Sequence, residues 1–165
     1  MVKKTTGTLQ ETRQYTLKLA TSFASYLKHK ERGKKDRRAI ASGNMILRMF
    51  LHIIEEFHLA LAKRIEGATI SIGGEEKKQK ISNNMSTATL PHGPSVTICQ
   101  GTEDATKWNE CLSPSFFALI HKYMFDSSTR IRNALPPTNE MGKLFQKIAL
   151  AGNFLLSMKK VQLIV

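Results

Sequence analysis

Two stretches of this chain hold residue types suited to phosphate chemistry. The first is Thr102-Glu103-Asp104-Ala105-Thr106-Lys107-Trp108-Asn109-Glu110. It stands between a β-prone run, residues 95–102, and a helix start at Ser113-Pro114. A carboxylate at the C-terminal end of a strand suits Mg²⁺, because the strand fixes the backbone while the side chain stays wet. Mg²⁺ prefers one or two carboxylates plus substrate phosphates. Two-metal nucleotidyl transfer uses such a carboxylate to bridge ions that stabilise the attacking and leaving oxygens. Taken alone, the motif is weak, since an aspartate after a strand more often forms a turn or caps a helix.

The second stretch is residues 28–38, Lys-His-Lys-Glu-Arg-Gly-Lys-Lys-Asp-Arg-Arg. Seven positive and two negative side chains leave it at +5. Arg32, Lys34, Lys35, Arg37 and Arg38 can neutralise several phosphates, the arginines with bidentate geometry. Such binding is salt-dependent and carries little sequence information. A solubilising loop or a nuclear-targeting patch has the same composition.

Other candidates carry less. Gly73-Gly74-Glu75-Glu76-Lys77-Lys78 lacks the Walker spacing and its Lys-Ser/Thr pair. His52 and His58 do not share a helix face, which disfavours a metal site. Cys111 has no evident base to activate it. Cys99 and Cys111 lack zinc spacing and are too few for a disulfide scaffold. The methionines read as core filler.

The elements that must position these residues are mainly helical. Leu17, Ala20, Ala24 and Leu27 share a face at helical spacing, which predicts a first helix over residues 11–28. Glycine and charge make residues 28–38 a loop or ribbon. Ile46, Phe50, Ile53, Phe57, Leu61 and Ile65 predict a long amphipathic helix, stopped by Gly67. A polar helix over residues 75–85 exposes Lys77, Lys78 and Lys80, and residues 86–95 read as a loop. Ser113-Pro114 opens a helix whose apolar face is Phe116, Phe117, Leu119, Ile120, Tyr123 and Met124. Residues 126–139 read as a connector. Residues 140–158 read as a helix with a possible break at Gly152, and residues 161–165 as an apolar strand whose partner lies elsewhere.

Composition agrees with a polyanion-binding protein. Lys plus Arg number 25 against 13 Asp plus Glu, a net charge of +12, and such a surface attracts nucleic acid or nucleotide phosphate at long range. An apolar fraction of 41% permits a core. The 165 residues suit one domain or a slice of a larger one. The N-terminus leads into no apolar segment of signal-peptide type. The longest apolar run, residues 45–65, is interrupted by Arg48, His52, Glu55, Glu56 and His58 and does not read as a membrane span.

Taken in order, the motifs resemble the catalytic basic polymerase subunit of influenza-like orthomyxoviruses. Glu31-Arg32-Gly33-Lys34 with Arg37-Arg38-Ala39-Ile40-Ala41 resembles the fingers motif that lines the nucleotide channel. Gly73-Gly74 with Glu76-Lys77-Lys78 resembles the segment before the palm. Thr102, Asp104, Thr106-Lys107-Trp108-Asn109-Glu110 and Pro114 resemble palm motif A. The resemblance spans roughly residues 15–125.

The resemblance implies an α+β fold dominated by helices, a partial right-hand polymerase with a fingers segment at 1–94 and the start of the palm at 95–165. It implies an RNA-directed RNA polymerase that adds nucleotides with Mg²⁺ or Mn²⁺. Asp104 is then the metal ligand and catalytic residue. Asn109 lies near the ribose 2′-hydroxyl of the incoming nucleotide. Lys107 and Trp108 shape the floor, while Arg32, Lys34, Arg37 and Arg38 hold triphosphate or template. Implied partners are viral RNA, nucleoside triphosphates and the acidic and second basic polymerase subunits, without a membrane. The implied location is the host nucleus, after cytoplasmic synthesis.

Two residues depart from the pattern. Asp36 stands where relatives carry a basic residue, and Glu103 where they carry a small one. The family's Ser-Asp-Asp turn, which supplies further metal ligands, is absent from these residues. The isolated chain is therefore expected to be inactive and poorly soluble. A competing expectation is a short virus-derived protein that binds RNA or a polymerase subunit without catalysis.

Overall fold

The computed structural model describes residues 7–28, 39–91, 97, 99, 101, 103 and 111–163. The described chain is α+β and mostly helical, in the order α1 (Leu9–Ala20), β1 (Ser22–Leu27), β2 (Ala39–Gly43), α2 (Met45–Ala62), α3 (Gly74–Thr89), α4 (Pro114–Met124), α5 (Ser127–Arg132), α6 (Glu140–Ser157), β3 (Lys160–Leu163). No described helix is long and apolar enough to cross a membrane. Two compact units divide the chain: Met1–Ile53 with Leu112–Val165, and Ile54–Cys111.

The first unit is built on a three-stranded sheet in the order β2-β1-β3. Helix α1 starts on a capping box. Thr8 N–H donates to Glu11 Oε2 at 2.9 Å, and Glu11 N–H donates to Thr8 Oγ1 at 3.3 Å. The hydrogen bond from the Thr8 backbone holds the Glu11 carboxyl below its ordinary pKa. The helix is shorter than its apolar spacing predicts. It ends at Ala20, where the Thr21 hydroxyl turns back to the carbonyls of Leu17 and Lys18. The next six residues are a strand, because burial there alternates: Phe23 and Ser25 are buried, Ser22 and Ala24 half-buried. Ala24 and Leu27 therefore belong to β1 and not to a helix face.

Strand β1 pairs antiparallel with β2, from Phe23↔Gly43 to Leu27↔Ala39. It pairs parallel with β3, from Ser22↔Lys160 to Ser25↔Leu163. The Lys160 N–H donates to the Thr21 carbonyl at 2.7 Å. The terminal strand thus finds its partner within this chain. The buried apolar cluster is Ala20, Phe23, Leu47 and Leu155, with Ile46, Phe50, Leu51 and Leu156 packed against it. Asn44 starts α2 by accepting the Ile46 N–H at 2.9 Å, which seats Leu47 in that cluster.

Helix α4 follows its expected proline start, and α6 packs along it. Two polar side chains are buried between them. Asn153 Nδ2 donates to the Ala149 carbonyl at 2.8 Å and lies 3.2 Å from His121 Nδ1. Phe145 meets the His121 ring edge-on. The expected connector at 126–139 contains α5, capped by Asp126, which accepts from Thr129 N–H and from the Ser128 and Thr129 hydroxyls. Arg130 Nε donates to the Pro136 carbonyl and Thr138 Oγ1 to the Phe125 carbonyl, so side chains close this turn. Helix α6 runs unbroken through Gly152, which is buried. A glycine inside a helix costs little where its lack of a side chain admits close packing.

In the second unit the chain leaves α2 at Ala62 and passes Gly67 at a φ of 81°. Helix α3 reaches Thr89, so the loop expected from residue 86 starts later. Lys77 and Lys78 are exposed as expected. Lys80 is half-buried, because its Nζ donates to the Ala68 carbonyl at 2.8 Å.

Candidate functional site

The charged ribbon is carried by a β-hairpin. The last and first paired residues on either side of residues 28–38 are Leu27 and Ala39, directly opposite each other. Backbone pairing at that rung fixes where the ribbon leaves the sheet and where it returns. Lys28, its described end, is exposed. Arg32, Lys34, Lys35, Arg37 and Arg38 lie outside the described residues. So do Asp36 and the rest of the ribbon.

The base of this hairpin is packed more tightly than its middle. Phe23 is buried and faces Gly43 across the sheet, with fully buried Leu47 beneath. Toward the ribbon the strands open to solvent, with Tyr26 and Leu27 both exposed. The hairpin is thus anchored at its Phe23–Gly43 end by an apolar plug and solvent-facing at its Leu27–Ala39 end.

Asp104, Lys107, Trp108 and Asn109 also lie outside the described residues. So does most of the β-prone run before them, of which Thr97, Cys99 and Gly101 are described as exposed. Glu103, next to Asp104, is exposed too. On the other side, Cys111 is exposed and forms no disulfide, and Ser113 caps α4 without a side-chain hydrogen bond to it. Glu103 offers a hard oxygen donor of the kind Mg²⁺ takes. Among the described residues, no group of three His, Cys, Asp or Glu stands close enough to hold a metal ion. His58 sits on α2 beside Phe57, and burial lowers its pKa.

The family model of the influenza RNA-dependent RNA polymerase subunit PB1 matches residues 1–161. This chain belongs to that family. The match includes both the ribbon and the Asp104 segment, in the order the motifs require. It extends well past the point where motif resemblance fades, through α5, α6 and the start of β3. The chain is accordingly of a viral RNA polymerase subunit type.

Three features were missed from sequence. Asn44 as the cap of α2 was readable, since Asn precedes an apolar helical run. The Phe23–Gly43 pair needed the strand register, which residue spacing did not supply. The buried His121–Asn153 pair carries no local signal, because its members come from different helices.

Proposed function

We infer that this chain supplies the fingers segment, residues 1–94, and the start of the palm, residues 95–165, of an RNA-directed RNA polymerase that transcribes and replicates a viral genome. The single observation that supports the reading is the family match over residues 1–161, which spans the cationic ribbon and the Asp104 segment together.

In this reading the ribbon gathers anions. Arg32, Lys34, Arg37 and Arg38 draw in the nucleoside triphosphate or the template, with the net charge of +12 adding long-range attraction. Their guanidinium and ammonium groups neutralise phosphate oxygens without moving protons. Asp104 would hold Mg²⁺ or Mn²⁺, and the neighbouring backbone carbonyl could add a second contact. Bound there, the ions would offset charge developing on the attacking and leaving oxygens. Asn109 hydrogen-bonds the ribose 2′-hydroxyl and thereby favours ribonucleotides. Lys107 and Trp108 would shape the floor of the site. One aspartate is too few to hold two such ions, so synthesis needs the further carboxylates of a Ser-Asp-Asp turn, which is not among these 165 residues. The isolated chain is therefore inactive. The acidic and second basic polymerase subunits are its partners, and the host nucleus its working compartment.

The test is Asp104→Ala in the assembled polymerase. Templated incorporation of radiolabelled nucleotide should fall to background while co-purification of the partner subunits is unchanged. Retained synthesis would remove Asp104 from the mechanism.

A further inference from the structure

A cavity of about 360 Å³ opens between α4 and α6, both within the first unit. That volume is in the range of small-molecule pockets. Its lining is mostly apolar and includes no carboxylate. Ala118 and Leu150 are half-buried, while Leu119 and Phe154 are 51% and 56% exposed and form the lips. Asn153 and Lys122 add two polar groups of opposite kind.

Asn153 is the buried one, at 5% exposure. Its Nδ2 donates to the Ala149 carbonyl at 2.8 Å and to His121 Nδ1 at 3.2 Å, which uses both amide hydrogens. These two acceptors fix the amide's orientation, because the reversed one would set Oδ1 against the Ala149 carbonyl oxygen. Oδ1 is left without a hydrogen bond among the described residues. A buried acceptor without a partner is uncommon and costs stability, and a donor brought by a ligand offsets that cost. Oδ1 only accepts, so the ligand group that meets it is an N–H or O–H.

Lys122 supplies the second requirement. Its side chain is exposed and forms no ion pair among the described residues; its Nζ stands 5.8 Å from the centroid of the Tyr123 ring. An ammonium on the rim of an apolar cavity favours an anion at that end of the ligand. The body between donor and anion meets Ala118, Leu119, Leu150 and Phe154 and is therefore apolar. An acyl chain lacks the donor. A nucleotide has it, but would lay its ribose hydroxyls against apolar walls.

We propose that the α4–α6 cavity binds an aromatic carboxylate of the indole type, its ring between Leu119 and Phe154, its ring N–H donating to Asn153 Oδ1 and its carboxylate at Lys122.

The experiment titrates indole-3-propionate into the full 165-residue chain carrying ¹³C-labelled leucine methyls. Indole, 3-(2-naphthyl)propionate and adenosine 5′-monophosphate are the comparators. The Leu119 and Leu150 methyl signals should shift saturably with a Kd of about 1 mM or below, while those of Leu47, in the other apolar cluster, stay in place. The naphthyl compound, with a ring of similar size and no N–H, should bind at least about fivefold more weakly, because it covers Oδ1 without pairing it. Lys122→Gln should weaken indole-3-propionate by about two- to fivefold and leave neutral indole unaffected. Ala118→Leu places a side chain in the cavity and should abolish binding with the urea midpoint retained. If that variant does not fold, the indole and naphthyl comparison on the unsubstituted chain decides alone. Absence of a saturable shift at Leu119 and Leu150 would overturn the proposal. So would a naphthyl compound that binds as tightly, adenosine 5′-monophosphate binding more tightly than indole-3-propionate, or a folded Ala118→Leu chain that binds as before.

Discussion

Truncating Leu47 to alanine is the most direct probe of the packing that anchors the β1–β2 hairpin. Leu47 is fully buried, enclosed by Ala20, Phe23 and Leu155, with Ile46, Phe50, Leu51 and Leu156 around them. Removing three carbons forfeits about 2–3 kcal/mol of transfer free energy. A cavity term adds to it, and buried Leu→Ala changes cost about 2–5 kcal/mol in all. The lower half of that range applies here. The Phe23 ring lies against Gly43, where no side chain resists its movement into the vacated space. About 3 kcal/mol is then expected, a large share of the roughly 5–15 kcal/mol that holds a domain together. For a chain of this size it corresponds to a fall in Tm of about 6–12 °C. Urea unfolding followed by circular dichroism measures it, with Met49→Ala as control. Met49 is on the same helix but 64% exposed, and should cost under about 0.5 kcal/mol. If Leu47→Ala cost no more than Met49→Ala, the Phe23–Leu47–Leu155 cluster would not be what anchors the hairpin.

Two further predictions concern the α4–α6 half of the first unit. Asn153→Ala removes the donor to the Ala149 carbonyl and to His121 Nδ1 and should cost about 1–3 kcal/mol in urea unfolding, because His121 stays buried without that bond. An unchanged midpoint would refute a structural role for the pair. Asp126 is held near a pKa of about 2, below the ordinary 3.8, chiefly by the Ser128 hydroxyl and then by Thr129. Its folded pKa lies below the unfolded one, so the charged carboxylate stabilises the fold above pH 4, and that contribution is lost as pH falls toward 2. Asp126→Asn should therefore lower the urea midpoint at pH 7 and converge with the unsubstituted chain near pH 2. A constant gap across that range would mean that charge is not what the cap contributes.

Most of the helical framework was legible because it rests on local signals. The apolar repeat of α2, the Ser113-Pro114 start of α4 and the long run of α6 each appear in consecutive residues. The signals that failed are those that depend on partners distant in sequence. Ala24 and Leu27 satisfied helical spacing, but two other facts decided the segment. Thr21 ends α1 with its own hydroxyl, and β2 and β3 flank the following residues as ready strand partners. Periodicity of 3.6 and of 2 cannot be separated in six residues when pairing supplies the deciding energy. The Thr-rich stretch after residue 86 read as a loop, yet a helix already under way extends more cheaply than one begins, and α3 continued to Thr89. The family and the order of its motifs were legible at once from the ribbon and the Asp104 segment. The side-chain geometry at those two segments falls outside the described residues, so their roles rest on chemistry and family membership.

The sheet has a consequence for how the ribbon comes to be held. Strand β1 is central, and its two neighbours come from opposite ends of the chain. The β1–β2 hairpin is local and pays only a short loop closure, but a two-stranded hairpin is marginal in water. Its second support, β3, arrives from beyond α6, and Leu155 of α6 completes the cluster under Phe23. A contact so distant in sequence forms late in folding. Docking of α6 and β3 should therefore stabilise the hairpin. Strand β1 is then braced by the C-terminal part of this same unit. A chain in which α6 or β3 is damaged would keep the β1–β2 pairing but lose the strand and the Leu155 contact that support it.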